Sequence, residues 1–518
     1  MIIAHKVNNS FGYLEADNYD ELKEIHSAMS FYVPGFMFMP SYKSGYFDGK
    51  IKLFDLGTKT YPLGLSKFLY DQCISREIGI SLDKDILESF IDREFDEEYF
   101  EMFLSNYHFF VKGEEIFPRD DQIEATARAL KMKRCINLCP TSFGKSLSIT
   151  MECLYLLQKQ YTCLIVVPTK GLVEQFYNDI KDYATNENGK MEDWYPNVQL
   201  IYGGKDKELH DDTQICISTW QSLMNITKVN PDYMNRFDAI ILDEAHRGSG
   251  NQIQKIMNLS TDVQYRTGWT GTLANEVINE LVIKGCFGEP KQIITTNELM
   301  EKDIVAQLKI CIMKLKYPEG MGRQFQILDY NSQMKYLEEF DERNEYIINI
   351  SGAINKTGLI LYKHIAHGEA LFNKARELYP DRIVYLVHSG HFQRNDEKYK
   401  TFEELKPFLE KDKNSILIAN YQLVGTGISI KNIHFVLFAS SIKSYITTIQ
   451  AIGRGLRVSA TKKKVVLIDI VDDLSYKGRV NIIQNYALRH FNERFKIYNE
   501  NGFDYLLKQH KMRIIEAE

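Results

Sequence analysis

The chain lacks any apolar run of the roughly 18 residues that a membrane-crossing helix needs, so no membrane span is expected. Its opening residues, M-I-I-A-H-K-V-N-N-S, contain no apolar signal core. The eight cysteines are scattered and form no C-x-x-C pair. That pattern excludes a disulfide framework and a thiolate zinc site, and it fits a reducing, cytoplasmic setting. Low-complexity segments and short internal repeats are also missing. Charge of one sign is not in excess: 63 Lys and Arg stand against 69 Asp and Glu, for a net charge of −6. A basic groove could still serve a polyanion locally, because overall charge does not decide nucleic-acid binding. What remains is a globular protein of 518 residues, 44% apolar, long enough for about three or four domains.

Two motifs carry the chemistry. Cys139 to Ser146 read C-P-T-S-F-G-K-S, after the apolar run Cys135–Cys139 and before a helical stretch. A small-residue loop feeding a helix N-terminus aims backbone N–H groups and the helix dipole at one point, which suits phosphate. Pro140, Thr141, Ser142, Phe143 and Gly144 form the loop, Lys145 adds a positive charge, and the Ser146 hydroxyl can hold Mg²⁺. The usual first glycine of such loops is Cys139 here. Further on, Leu242 to His246 read L-D-E-A-H at the end of a second apolar run, Phe237 to Leu242. In an open α/β sheet the strand C-termini face the ligand. Asp243 is placed to hold Mg²⁺ and Glu244 to polarise an attacking water. Together the motifs point to nucleoside triphosphate hydrolysis.

The rest of the chain shows two similar α/β units. Strands are expected at Cys135–Cys139, Cys163–Val167, Gln199–Tyr202, Ile215–Ser218, Ile240–Asp243 and Tyr265–Thr270. A second set is expected at Thr357–Tyr362, Ile383–Val387, Ser415–Ala419, His434–Ala439 and Lys464–Ile470, with the join near Pro290 to Gln307. Alternating strands and helices imply covered parallel sheets. Before Asp120 the character changes to aromatic, Gly-rich β-like stretches (Phe31 to Leu65) and a helical stretch (Asp83 to Asn106). Tyr42, Lys43, Tyr46, Phe47, Lys50 and Lys52 interleave there. They read equally as a nucleic-acid face or as a hairpin turning at Asp48-Gly49. The acidic stretch Asp83 to Glu101 reads as a solvated helix face. The tail, Ser475 to Arg513, has eight Lys and Arg against three Asp and Glu. Its helical part places Tyr486, Phe491, Phe495 and Tyr498 among Arg489, Arg494 and Lys496, which fits a packed amphipathic helix as well as a DNA-contacting one.

A motor built from two such units needs a charge supplied to the phosphates by the second. Gln450 to Arg457 read Q-A-I-G-R-G-L-R, and Arg454 and Arg457 share one helix face. The guanidinium fork stays charged and donates bidentately to phosphate. At this point the ordered motifs resemble those of superfamily-2 helicases. Arg119 and Gln122, in P-R-D-D-Q, resemble the adenine-reading element, with Asp121 where an aromatic often precedes the Gln. Thr169-Lys170, Gly204 and Thr219-Trp220 resemble strand-contacting loops of the first domain, and Lys363-His364, Ser389-Gly390 and Thr426-Gly427 those of the second. Thr270-Gly271-Thr272 resembles the element linking hydrolysis to unwinding. Small hydroxyl residues and glycines suit sequence-independent phosphate contact.

Phe38 to Asp55, the following Y-P-L-G-L, Tyr362 to Gly368, Val424 to His434 and the basic tail resemble the UvsW-type recombination helicases of T-even-like phages. The resemblance implies two tandem RecA-like parallel-sheet domains of the P-loop NTPase class, a small α+β N-terminal domain and a helical C-terminal extension. On it, residues 1–108 engage DNA, 109–295 form the ATP-binding first motor domain, 296–474 the second, and 475–518 the extension. The implied activity is ATP- and Mg²⁺-dependent, 3′-to-5′ remodelling of branched DNA, including branch migration, fork regression and unwinding of R-loops or D-loops. Catalytic roles fall to Lys145, Asp243, Glu244, Gln450, Arg454 and Arg457. The expected partners are branched DNA and RNA–DNA hybrid, with recombination and single-strand-binding proteins, for a monomer in the host cytoplasm. An RNA helicase and the motor subunit of a nuclease or restriction system are the alternatives. The chain has no second carboxylate–lysine or His cluster for cleavage outside the motor motifs.

Overall fold

Short runs of β-branched and aliphatic residues, buried on both sides, build the two large sheets. The structure is a computed structural model and describes residues 1–87, 95–246, 250–273, 277–424, 433–455, 464–478 and 480–512. The chain divides into two compact units, Met1–Ile294 and Thr295–Glu518.

In the first unit, Arg134–Leu138, Cys163–Val167, Val198–Ile201, Ile215–Thr219, Ala239–Asp243, Tyr265–Thr270 and Pro290–Gln292 form one seven-stranded sheet. Every pairing in it is parallel. From one edge the order is Val198, Ile215, Cys163, Ala239, Tyr265, Arg134 and Pro290, naming each strand by its first residue. Parallel sheets need both faces covered. Helices Lys145–Leu157 and Lys170–Tyr183 supply part of that cover, and Cys163 to Val167 are all buried. The six strands expected from sequence in this unit are present, with no end shifted by more than one residue.

The small sheet before this unit's motor sheet is not where the aromatic stretch placed it. Its four strands are Thr60–Pro62, Phe11–Ala16, Ile2–Lys6 and Ile80–Leu82, in that order. Phe31–Leu65 contributes mainly an excursion: Ser30–Tyr32 pairs with Lys50–Lys52, and the residues between form a short 3₁₀ turn and a helical turn. The hairpin reading of Asp48-Gly49 therefore becomes the end of a longer loop, with Gly49 at φ 82°. The helical stretch contains Lys84–Leu87 and Glu97–Leu104, while 88–94 lie outside the described residues. Helix Glu97–Leu104 buries Phe100 and Phe103 against Tyr155 of the phosphate-loop helix and leaves Glu97 and Glu98 exposed.

This small domain is fastened to the motor sheet. Leu281 and Val282 lie in its apolar core. A Cβ on Gly64 would stand 2.1 Å from the Lys284 carbonyl, so only glycine permits that approach. The buried Arg266 guanidinium donates to Ser10 Oγ at 2.9 Å and to the Met257 carbonyl at 3.2 Å, and Arg134 donates to the Asn9 and Cys286 carbonyls.

In the second unit the nine strands run, in spatial order, Glu397–Tyr399, His391–Arg394, Ile383–His388, Ser415–Asn420, Gly358–Tyr362, Phe435–Phe438, Lys464–Asp473, Gln307–Lys316 and Tyr505–Lys511. The first two pairings are antiparallel and the rest parallel. The tail supplies helix Tyr486–Glu500 and also the last strand of this sheet. Arg494 is buried and grips Asp469 with two hydrogen bonds, at 2.9 and 2.7 Å, while the Tyr498 hydroxyl donates to the same carboxylate. Of the two readings of the tail, packing therefore accounts for Arg494, and the exposed Arg489 and Lys496 keep the basic outer face.

Glu152, on the phosphate-loop helix, is fully buried and accepts hydrogen bonds from Thr267 Oγ1 (2.7 Å) and Trp269 Nε1 (3.1 Å). Burial pushes its carboxyl up to about 7. A folded-state value above the unfolded one favours the folded protein at low pH, and that contribution is lost as pH rises from about 4.5 through 7. The full span is worth about 3 kcal/mol. Glu152→Gln is expected to flatten the fall in thermal midpoint across that window. A slope equal to that of the wild type would show that Glu152 does not titrate there.

Candidate nucleotide site and strand-end loops

All the sequence-predicted residues of the first motor domain from Cys139 onward lie at or just beyond the C-terminal ends of parallel strands, along one edge of the sheet. The strand order divides that edge. Arg134–Leu138, Tyr265–Thr270 and Ala239–Asp243 are adjacent and lead into Cys139–Ser146, Thr270–Thr272 and Asp243–Glu244. Cys163–Val167, Ile215–Thr219 and Val198–Ile201 continue the sheet and lead into Thr169-Lys170, Thr219-Trp220 and Gly204. Nucleotide motifs occupy one half of the edge, and the expected strand-contacting loops occupy the other.

The phosphate loop is held from behind. Gly144 takes φ 92°, a backbone conformation that favours glycine, and a Cβ there would displace Gln122 Nε2, which would stand 2.4 Å away. Gln122 Nε2 and Arg119 Nη2 both donate to the Phe143 carbonyl, at 3.0 and 2.7 Å. Gln122 Oε1 accepts the Arg119 N–H at 3.0 Å, and Arg119 Nε donates to Asp121 Oδ1 at 3.0 Å. The residues expected to read adenine thus brace the loop, and Arg119 also lies over the buried Phe143 ring. Pro140 and Thr141 line the turn between strand and helix, and Ser142 adopts φ 71° with its buried hydroxyl unsatisfied by protein. A buried hydroxyl without a partner in a loop opening on a helix N-terminus fits a phosphate ligand. Lys145 Nζ donates to the Cys139 carbonyl at 3.3 Å.

The metal-ligand chemistry also fits. Asp243 ends its strand with its carboxyl well above the usual range, through burial first and the neighbouring Glu244 second, while Lys145 opposes them. A crowded, partly desolvated carboxylate beside a hydroxyl is the donor set that a divalent cation relieves, and Mg²⁺ takes one or two carboxylates plus substrate phosphates. Ser146 Oγ and the buried Tyr183 hydroxyl stand 2.8 Å apart. The same helix carries Asp179, whose charge acts on both Asp243 and Tyr183. Sequence reading missed Tyr183 and Asp179. They lie on the helix after the next strand, and only the sheet order brings them to the phosphate loop.

Glu244 has φ 57°, a left-handed conformation rare for this residue type, and its N–H donates to Asp243 Oδ1 at 2.9 Å. His246 Nδ1 is 3.2 Å from Glu244 Oε2 and 3.0 Å from Thr270 Oγ1. Because Thr270 Oγ1 donates to the Thr272 carbonyl at 2.9 Å, it accepts from His246, which places the proton on Nδ1. The Thr270 carbonyl accepts the Cys139 N–H at 2.8 Å. One threonine therefore touches both the D-E-A-H segment and the start of the phosphate loop.

In the other half of the edge, Thr169 and Thr219 cap the helices that follow them, through Leu172 N–H (3.3 Å) and Ser222 N–H (3.4 Å). Two helix N-termini thereby face the same edge. Lys170 and Lys205 lie over the Tyr202 ring, and Gly204 has φ 92° with open space around it.

In the second unit, Lys363-His364 and Ser389-Gly390 follow strands Gly358–Tyr362 and Ile383–His388 at the matching edge of that sheet. The Lys363 N–H donates to Ser440 Oγ at 3.1 Å, Asn420 Nδ2 donates to the Lys363 carbonyl at 2.7 Å, and His364 Nδ1 pairs with Glu338 at 2.7 Å. Thr426, Gly427 and Arg457 lie outside the described residues. Gln450 and Arg454 are on helix Tyr445–Gly455, and their side chains lie outside the description. Among the described residues no group of three or more His, Cys, Asp or Glu could hold a metal, and no helix is long and apolar enough to cross a membrane.

Residues 2–83 match the family described as DNA helicase UvsW, N-terminal, and residues 115–275 match type III restriction enzyme, res subunit. The ATP-dependent DNA helicase uvsW of Enterobacteria phage T4 is 28% identical over 497 residues, 94% of this chain and 95% of that one. The crystal structure of T4 UvsW superposes with a TM-score of 0.50 at 26% identity, covering 98% of this chain and 99% of that one. The type I restriction enzyme EcoKI endonuclease subunit of Escherichia coli is 21% identical over 74% of this chain, which spans 36% of its length.

Tyr183→Phe is expected to raise the Mg²⁺ concentration needed for half-maximal binding of a fluorescent ATP analogue several-fold, with little effect on binding at saturating Mg²⁺. An unchanged Mg²⁺ requirement would show that the hydroxyl contact to Ser146 does not prepare the metal site.

Proposed function

We propose that the chain is a superfamily-2, ATP-dependent DNA helicase that remodels branched DNA. The observation that carries this reading is the divided sheet edge, on which nucleotide motifs and strand-end loops lie side by side. The match to a phage DNA helicase along nearly the whole of both chains supports the choice of polymer.

In this reading Lys145 and the backbone amides of 141–144 hold the β- and γ-phosphates, and Ser146 and Asp243 hold Mg²⁺. The metal, when bound, neutralises charge on those phosphates. Glu244 orients the attacking water, and the buried His246 fixes the Glu244 carboxylate. Arg119 and Gln122 keep the loop in shape through Phe143. Gln450, Arg454 and Arg457 are assigned to the γ-phosphate from the second motor domain, as arginine fingers act in other phosphoryl-transfer enzymes. Thr169, Lys170, Gly204, Thr219 and Trp220 are assigned to the DNA backbone from the first unit. Lys363, His364, Ser389, Gly390, Thr426 and Gly427 are assigned to it from the second. Contacts of this kind position a strand without reading bases. Forks, four-way junctions, R-loops and D-loops are the proposed substrates, worked on in the 3′-to-5′ direction within phage recombination, repair and replication. Residues 1–108 are assigned to DNA engagement.

The test is an ATPase and unwinding panel over forks, four-way junctions, R-loops, single-stranded RNA and RNA duplexes. Branched DNA is expected to stimulate hydrolysis most, and Lys145→Ala to abolish turnover on every substrate while retaining DNA binding. Stronger stimulation by RNA would replace the reading with an RNA helicase, and nicking of labelled duplex would replace it with a nuclease motor.

A further inference from the structure

The excursion between strands Ser30–Tyr32 and Lys50–Lys52 is a folded lobe that displays aromatic rings to water. Tyr46 is 92% exposed and Phe38 77% exposed, far more than rings of this size usually are. The lobe beneath them is ordered. Phe36 stacks on Tyr32 and meets Tyr42 edge-on, with both centroid distances 4.7 Å. A Cβ on Gly49 would stand 2.4 Å from the Phe36 ring, and the Phe47 N–H donates to the Ser41 carbonyl at 3.1 Å. Gly35, Gly45 and Gly49 all take positive φ, between 71° and 82°. The chain therefore fixes this loop around one set of rings while leaving Phe38 and Tyr46 outside it. Packing of the lobe does not account for the two exposed rings.

The surrounding charge selects the ligand. From Phe31 to Lys52 the segment carries Lys43, Lys50 and Lys52 against a single acid, Asp48. Lys50 lies 4.7 Å over the Tyr32 ring, and Lys52 pairs with Asp48 at 2.7 Å. Exposed flat rings in a segment of net positive charge match a strand with unpaired bases, in which each base offers a π-face and each phosphate a negative charge. A base-paired duplex keeps its π-faces stacked and offers them only where the helix ends or forks.

We propose that Phe38 and Tyr46 form a stacking platform for unpaired bases at a DNA branch, with Lys43 and Lys50 contacting the adjoining phosphates. This rests on the motor reading above and deepens it by naming where the first domain engages the substrate. The small domain is fastened to the first motor sheet through Ser10, Arg266, Leu281 and Val282, so bases held here would be held at a fixed position relative to that sheet.

The experiment uses the full-length protein and a fluorescein-labelled fork with single-stranded arms. Phe38→Ala and Tyr46→Ala are each expected to weaken fork binding by about five-fold or more, and the double variant by more than either. Phe38→Tyr and Tyr46→Phe should bind as the wild type does, and ATP hydrolysis without DNA should be unchanged in all four single variants. Lys50→Ala should lower the salt dependence of binding by about one counterion. Tyr46→Trp should add a fluorescence signal that single-stranded DNA quenches and blunt duplex does not. This variant keeps the test decisive if the alanine variants fold poorly. Wild-type fork affinity in the double alanine variant, or an introduced indole signal indifferent to single strands, would overturn the platform and leave a protein partner as the occupant. If no nucleic acid stimulates the wild-type ATPase, the motor reading itself fails.

Discussion

Thr270 makes the two contacts on which the nucleotide site depends. Its carbonyl receives the Cys139 N–H where the phosphate loop begins, and its hydroxyl receives the His246 proton behind Glu244. Both contacts require strand Tyr265–Thr270 to lie between the strand that ends in the phosphate loop and the strand that ends in Asp243, and the sheet order provides this. The end of one strand thus touches both the start of the phosphate loop and the segment that carries Glu244. Glu152 reinforces the arrangement by tying the phosphate-loop helix to Thr267 and Trp269 on that strand.

From this constraint the rest of the first unit follows. The strands beyond Ala239–Asp243 carry their loops to the same sheet edge, because all seven strands are parallel and every loop at that edge follows a strand. Two of those loops begin helices capped by Thr169 and Thr219, so backbone donors collect there as they do at the phosphate loop. The same type of local structure, a strand end leading into a helix N-terminus, therefore stands in both halves of the edge. The buried guanidiniums of Arg266 and Arg134 hold the small domain to the base of this arrangement through backbone carbonyls and Ser10.

Much of the motor fold was legible because parallel strands buried on both faces leave continuous apolar runs. Cys163–Val167 and Gly358–Tyr362 are of that kind, and their sequence limits needed little adjustment. Strands with one wet face were missed. Ile2–Lys6 and Phe11–Ala16 alternate, and Gln307–Lys316 alternates within the expected join between units. Tyr505–Lys511 is exposed at every residue and gives no burial signal. In the site, residues adjacent in sequence were legible and residues adjacent only in space were not. Lys145, Ser146, Asp243 and Glu244 were named from their motifs. Tyr183, beside Ser146, and Glu152, beneath Trp269, required the fold. Arg119 and Gln122 were named as an adenine-reading element, and their bracing contacts to Phe143 could not be read from spacing.

The central claim is that Thr270 ties the state of the nucleotide to the working of the motor. Thr270→Val removes the hydroxyl while keeping the carbonyl that holds Cys139 and most of the side-chain volume. Rates of ATP hydrolysis and of fork unwinding, measured together at saturating DNA, test it most directly. The account predicts that unwinding falls much more than hydrolysis, so that more ATP is consumed per base pair opened. An unchanged ratio of the two rates would contradict it.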